Sequence, residues 1–357
     1  MQREFPVFTV VGEASSGVAG FLPGLKSALF DRGFVFQEAP ETPQLVLNCV
    51  SEREPKPYRR KAQATLVVSL LELARLPKDP ITSLYPYLVR ALSNMLLAYV
   101  PGEGAAFLTL ELGRYAEPEG PGFAERLAER ILPIASSQLV VENRFEKDLE
   151  ASLWAGDEYT RALGAAGKKL AEWDLLPAPF PIEEILPPED FRHVKRLYGI
   201  GGLSYGNLSV RKDATRFWMS ASGVDKANLS TVGRDILMVK DYDASAQAMV
   251  LSVPENIEPK RVSVDAIEHW MIYREHPSVG AIIHVHAWME GAPSTQFNYP
   301  CGTYQLAEAV AQKVRDSTDP SRAVVGLRNH GLTLTGSSLE DILSRIEGRL
   351  LKQVPMT

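Results

Sequence analysis

Between Leu176 and Pro188 the chain carries five prolines, Pro177, Pro179, Pro181, Pro187 and Pro188. Each fixes φ and removes an N–H donor, so neither a helix interior nor a central strand can run through the stretch. It therefore divides the 357 residues into parts that each need a core, and their patterns differ. Before it, strand-like apolar runs at Phe8–Val11, Leu45–Val50, Thr65–Leu71 and Phe107–Leu112 alternate with helical spacing at Leu22–Arg32, closed by Gly33, and at Leu84–Ala98. This alternation predicts a layered α/β domain over residues 1–145. Gln138–Glu142 is one more strand candidate, and Asp148–Trp173 reads as mostly helical, so residues 146–188 are expected to be a helical and proline-rich linker. Residues 189–357 are expected to form a second domain. It opens with a short helix at Glu189–Tyr198 and continues with glycine-punctuated strands, a helix and a strongly apolar strand.

Charge and cysteine content narrow the function. Lys and Arg number 38 against 44 Asp and Glu, a net charge of −6. That balance argues against a dedicated nucleic-acid or anionic-membrane surface, which needs basic patches for phosphate. The only cysteines are Cys49 and Cys301, too few for a disulfide framework or a CxxC zinc site. No apolar run reaches 18 residues and no signal-type segment follows Met1, so a cytoplasmic location is expected.

Three of the six histidines sit where chemistry is plausible. In Ala281-Ile-Ile-His-Val-His-Ala287, alternate residues of a strand share a face. His284 and His286 then point the same way, opposite Ala281, Ile283 and Val285. His330 follows the apolar Ala323–Leu327 run at a turn, from which it can be aimed at a neighbouring strand. Three neutral imidazoles suit a zinc ion and leave a coordination position for substrate. An HxH pair is equally compatible with two half-buried, hydrogen-bonded histidines. Ser263–Tyr273 has helical periodicity, which puts Asp265, His269 and Tyr273 on one face, with Ser263 as a candidate N-cap and Pro277 as the stop. Gly206-Asn207 and Ser220-Ala-Ser222-Gly223 are turns whose amides and hydroxyls can cradle an oxyanion.

The motifs GNLSVR, SASG with a lysine shortly after, VSVDAIEH, AIIHVH and NHGL occur in this order between about Asp190 and Glu347. In that order the C-terminal half resembles the class II aldolase/adducin family. The resemblance implies an α/β/α sandwich with a mostly antiparallel sheet, assembled as a homo-tetramer. It implies a Zn²⁺ or other divalent cation on His284, His286 and His330, Asp265 at the position of the catalytic glutamate, and Asn207, Ser222, Gly223 and Ser263 around an anionic substrate. The implied activity is aldolase-like cleavage or formation of a C–C bond in a small ketose through a metal-stabilised enediolate. A small sugar, phosphorylated or not, or a hydroxy-keto acid is the implied substrate. A dehydratase or decarboxylase, or a non-catalytic ligand-binding protein, stands as the alternative. Two departures bear on this. Asp265 is one CH₂ shorter than glutamate, and Val264 replaces a second serine of the anion pocket.

Other features read as structural. Gly12-Glu-Ala-Ser-Ser-Gly17 lacks the Lys and Ser/Thr of a nucleotide loop, having Val18 and Ala19 there. Arg53, Lys56, Arg59, Arg60 and Lys61 form a solvated basic run, and His193 and His276 are expected at the surface. Cys301 has no base near it in sequence and is expected in a loop close to the site. Trp288 and Tyr304 are expected to be packed.

Overall fold

Uninterrupted apolar runs set the first sheet. A computed structural model describes residues 6–62, 65–109, 114–176, 186–192, 206–352 and 354–355. It divides into two units, Met1–Ser137 with Ile182–Val194 and Met356–Thr357, and Gln138–Pro181 with Lys195–Pro355. The first unit contains β1 (Val7–Val11), α1 (Ser16–Phe30), β2 (Val35–Phe36), β3 (Leu45–Val50), β4 (Leu66–Glu72), α2 (Pro80–Arg90), β5 (Met95–Val100), β6 (Gly104–Thr109), β7 (Arg114–Pro118) and α3 (Phe123–Ala135). Its sheet runs β2-β1-β3-β4-β5-β6-β7. β1 to β5 are parallel, and β5, β6 and β7 form an antiparallel meander. Every residue of β3 and β5 is buried, as expected of parallel strands covered on both faces.

Helical spacing carried from Leu84 to Ala98 is not what forms. The helix stops at Arg90, Leu92 turns the chain at φ 53°, and Met95–Val100 is a strand. A buried parallel strand has no alternation, so its apolar run merges with the helix before it. α1 likewise begins six residues ahead of Leu22, at Ser16. Its first turn does not stand open to an anion, because the Gly17 N–H donates to the Glu72 carboxylate at 2.7 Å. Of the basic run, Arg60 donates to the Leu92 carbonyl and the Asn94 side chain, while Arg53, Lys56, Arg59 and Lys61 are exposed.

The second unit contains β8 (Glu142–Glu146), α4 (Glu158–Glu172), β9 (Asn207–Arg211), β10 (Phe217–Ser220), β11 (Ile236–Asp243), β12 (Ala248–Ser252), α5 (Ala266–Glu275), β13 (Ala281–Val285), α6 (Tyr304–Arg315), β14 (Val324–Leu327), β15 (Gly331–Gly336) and α7 (Leu339–Ile346). Its sheet runs β14-β15-β13-β9-β10-β11-β12-β8, antiparallel throughout except for the β12–β8 pair. α5 and α6 pack together over the face that carries Ser209, and α4 and α7 pack against the strands from the other side. The fold is thus mixed α/β, with a mostly antiparallel sheet between helices in the second unit.

The division also moves the expected boundary at residue 145. Gln138–Glu146 belongs with the second unit because β8 adds to β12, and residues 146–176 are no linker. Leu163, Ala166 and Leu170 of α4 are buried in the second core. Asp148–Trp173 is less helical than expected, with a short 3₁₀ turn at Ala151–Leu153 before α4. Pro177, Pro179 and Pro181, most of Glu189–Tyr198 including His193, and Leu110–Leu112 lie outside the described residues. One contact of α4 matters for the site. A Cβ on Gly167 would drive into the Lys226 carbonyl oxygen, so glycine is what lets the helix press on that turn. Gly167→Ala is expected to cost about 1–3 kcal/mol by overpacking, read as a lower urea midpoint.

Candidate metal centre

β13 is flanked by β9 and β15, and the register places Asn207, His284 and Thr333 side by side in one row on one face. Gly206, at φ +77°, precedes that row, and any Cβ there would meet the His284 carbonyl. His286 lies one residue beyond the end of β13, where alternation still turns its ring to the side of His284. His330 comes from the β14–β15 connection. Asn329 there adopts φ 59°, a left-handed conformation that Asn tolerates, and the His330 N–H donates to the Leu327 carbonyl at 3.0 Å.

The three rings converge. Their centroids are 5.1 Å apart for His284–His286, 5.0 Å for His284–His330 and 4.8 Å for His286–His330. One nitrogen from each lies within 4.8 Å of the other two. The Nε2 atoms of His286 and His330 are 3.1 Å apart. Nitrogens sharing one tetrahedral zinc at ~2.0–2.1 Å stand roughly 3.3 Å from each other, so small ring movements complete the geometry. His284 Nδ1 is 3.1 Å from the Leu332 carbonyl, which keeps the proton on Nδ1, and its buried Nε2 has no hydrogen-bond partner among the described residues. Burial lowers the pKa of all three rings, further depressed by neighbouring rings or by Lys226, so they are neutral and able to donate lone pairs at neutral pH. His284 and His330 are buried, while His286 keeps part of its surface open. The residues present fit a divalent cation.

Asp265 stands at the N-cap position of α5 but makes no capping bond with its side chain. The carboxylate is instead held by Asn207, whose Nδ2 donates to Oδ2 at 2.7 Å, and Asp265 is only 6% exposed. Ser263, expected as the N-cap, lies two residues earlier; the helix begins at Ala266 because the chain is still turning through Val262–Asp265. Its N–H donates to the Ser220 carbonyl, and Ser222 N–H donates to the Arg261 carbonyl. These bonds bring the Ser220–Gly223 turn beside the segment that enters α5, so Ser222, Gly223 and Ser263 gather on the Asp265 side. His269 and Tyr273 share Ser209, at 2.7 and 2.8 Å, one row further along the sheet. They support α5 from beneath.

Three residues acquire weight that sequence reading did not give them. Lys226 is 3% exposed, and burial lowers its ammonium to about 8 against the pull of Asp225 and Asp265. The lysine was visible after SASG, but nothing in one dimension reveals that α4 buries it. Glu268 is 1% exposed and accepts from Thr333 Oγ1 at 2.5 Å. Cys301 Sγ is 3.3 Å from His330 Nε2, so the loop placement holds, yet a base does stand next to it in space. Trp288 packs on Gly326 and bridges to Leu351, and Tyr304 packs near Tyr242. His276 is half-buried rather than at the surface, because it closes α5 beside Glu275.

These burials fix a pH dependence. His269 is driven down to about 3 by burial and by His284, so the unfolded chain binds more protons than the folded one below pH 6.5. The ligand histidines act in the same sense, and each such group costs about 1.4 kcal/mol per pH unit below 6.5 until its folded pKa is reached. Glu268, raised to about 8 by burial and Asp265, opposes them between pH 4.5 and 8, as one group against four. In chelator, the urea midpoint is expected to fall steadily from pH 6.5 to pH 5. A flat profile would contradict the buried neutral cluster.

Comparison with known proteins finds likeness in the C-terminal part of the chain. Residues 191–297 match the Class II Aldolase and Adducin N-terminal domain, a span that includes Asn207, Asp265, His284 and His286 but ends before His330. A methylthioribulose-1-phosphate dehydratase of Klebsiella pneumoniae subsp. pneumoniae is 29% identical over 172 residues, covering 40% of this chain and 79% of that protein. One from Citrobacter koseri is 28% identical over 172 residues, covering 40% and 78%. Among solved structures, an L-fuculose 1-phosphate aldolase aligns with 55% of this chain and 84% of its own at 21% identity and TM-score 0.38. An aldolase II superfamily protein from Pseudomonas syringae aligns with 56% and 73% at 18% identity and TM-score 0.36. Through the matched span and the motifs within it, the C-terminal part of the chain is similar to the class II aldolase and adducin family.

Proposed function

We propose that the second unit is a divalent-metal-dependent lyase acting on a small ketose phosphate or a related hydroxy-keto compound. The observation that carries this reading is the meeting of three neutral imidazoles, from two separate chain segments, beside a buried carboxylate. His284, His286 and His330 would hold the cation, and an all-imidazole donor set suits Zn²⁺. A cation there supplies Lewis-acid stabilisation for negative charge developing on a substrate oxygen. Asp265 takes the proton from the carbon next to the carbonyl, and Asn207 fixes the direction of its carboxylate. Ser222, Gly223 and Ser263 receive the anionic end of the substrate, and the Lys226 ammonium adds positive charge on the same side. Holding both ends at once raises the rate through orientation.

Proton transfer at this carbon is shared by two reactions: in loss of water the base takes its proton as hydroxide leaves the neighbouring carbon, and in C–C cleavage a hydroxyl proton is removed as the bond breaks and a proton is returned to the carbon. The dehydratases that are 27–29% identical to the chain favour loss of water. C–C cleavage, suggested by motif order, is the second reading. Zinc-loaded protein incubated with methylthioribulose 1-phosphate and, separately, fuculose 1-phosphate separates them: mass spectrometry reads the loss of water and a coupled assay reads aldehyde release. Chelator-sensitive dehydration is expected. Tight binding without turnover of either compound would favour a ligand-binding protein. A homo-tetramer and a cytoplasmic location belong to the same proposal, and light scattering of the purified chain tests the first.

A further inference from the structure

Glu268 has no part in the chemistry above, yet few side chains are buried at such expense. It lies on α5 three residues after Asp265, so the two carboxyl groups share one side of the helix. Their partners differ. Asp265 takes its hydrogen bond from Asn207, and Glu268 takes its own from Thr333. Asn207 and Thr333 are the two neighbours of His284 in its row, one on β9 and the other on β15. The helix thus reaches the sheet at two points that bracket the central histidine.

We propose that Glu268 is a positioning residue for the metal centre: its bond to Thr333, with the Asp265–Asn207 bond on the other flank, clamps the His284 ring so that Nε2 faces the other two imidazoles. This rests on the reading of the triad as a metal site. The bond from Nδ1 to the Leu332 carbonyl fixes one edge of the ring, but a single hydrogen bond leaves rotation about its own axis. Two side-chain pairs on the flanks remove that freedom. Burial and the charge of Asp265 raise the Glu268 carboxyl to about 8, so at neutral pH it clamps as a neutral group and adds no second negative charge beside Asp265. Partners that orient a ligand histidine typically contribute 10–100-fold to metal affinity.

The test uses Co²⁺, whose visible absorption reports ligand geometry, in the full chain at pH 7. Glu268→Leu and Thr333→Val are expected to bind Co²⁺ about 10–100-fold more weakly than wild type, with an altered spectrum. Glu268→Gln keeps an acceptor for Thr333 and is expected to restore both. Circular dichroism confirms that each variant is folded, and Thr333→Val guards against a Leu variant that is not. Wild-type affinity and spectrum in both Glu268→Leu and Thr333→Val overturn the clamp alone. A Gln variant as weak as the Leu variant also overturns it, since charge rather than shape would then matter. If the wild-type chain binds no Co²⁺, the metal reading fails and the clamp with it.

Discussion

His284→Ala is expected to leave the protein folded, without bound metal and without activity. Among the three imidazoles this one sits at the centre of the sheet. It lies in register with Asn207 on one side and Thr333 on the other, and its buried Nε2 has no hydrogen-bond partner among the described residues. Burying a hydrogen-bonding nitrogen with nothing opposite it is unfavourable, and such an atom in a native core asks for an explanation. A cation shared with His286 and His330 supplies one. Removing the ring takes away one of three protein ligands, a larger loss than the 10–100-fold typical when an outer partner is removed. The fold should survive, because alanine in β13 removes a buried polar group and leaves the ladder intact. The measurement is zinc per chain after dialysis, wild type beside variant, with thermal unfolding as the control. Stoichiometric zinc in a folded His284→Ala protein would end the assignment of the triad.

Parts of this site could be read directly from residue order. HxH on a strand puts two rings on one face because the β repeat is two, and a histidine in a hairpin turn can be aimed across a sheet. Leu45–Val50 was legible as a strand to the residue because its apolar run is bounded on both sides. The rest depends on distance in sequence. β8 pairs with β12, a hundred residues later, so nothing local says that residues 138–146 belong to the second unit. Cys301 and His330 are separated by 29 positions. Nothing local in the sequence marks Lys226 and Glu268 as buried, and only the packing of α4 and α5 turns them into buried groups with displaced pKa values. Ser263 was the expected N-cap, and capping propensity ranks serine and aspartate alike. The chain uses Asp265 there instead and spends the side chain on Asn207.

That choice makes Asp265→Asn the sharpest probe of the chemistry. An asparagine can offer its Oδ1 to the Asn207 amide, so the bond between them, the start of α5 and the triad should all persist. It cannot take a proton. Zinc content and stability are therefore expected to match wild type while kcat falls about 10²–10⁴-fold, the usual contribution of a positioned general base. Substrate affinity should change little if Ser222, Gly223 and Ser263 hold the far end. Asp265→Glu provides the control for shape. It keeps a carboxylate and lengthens it by one CH₂, so it should retain far more activity than the isosteric amide does. Full turnover by Asp265→Asn would show that the proton leaves by another route. The buried carboxyl of Glu268, on the same helix, would then be the next group to replace.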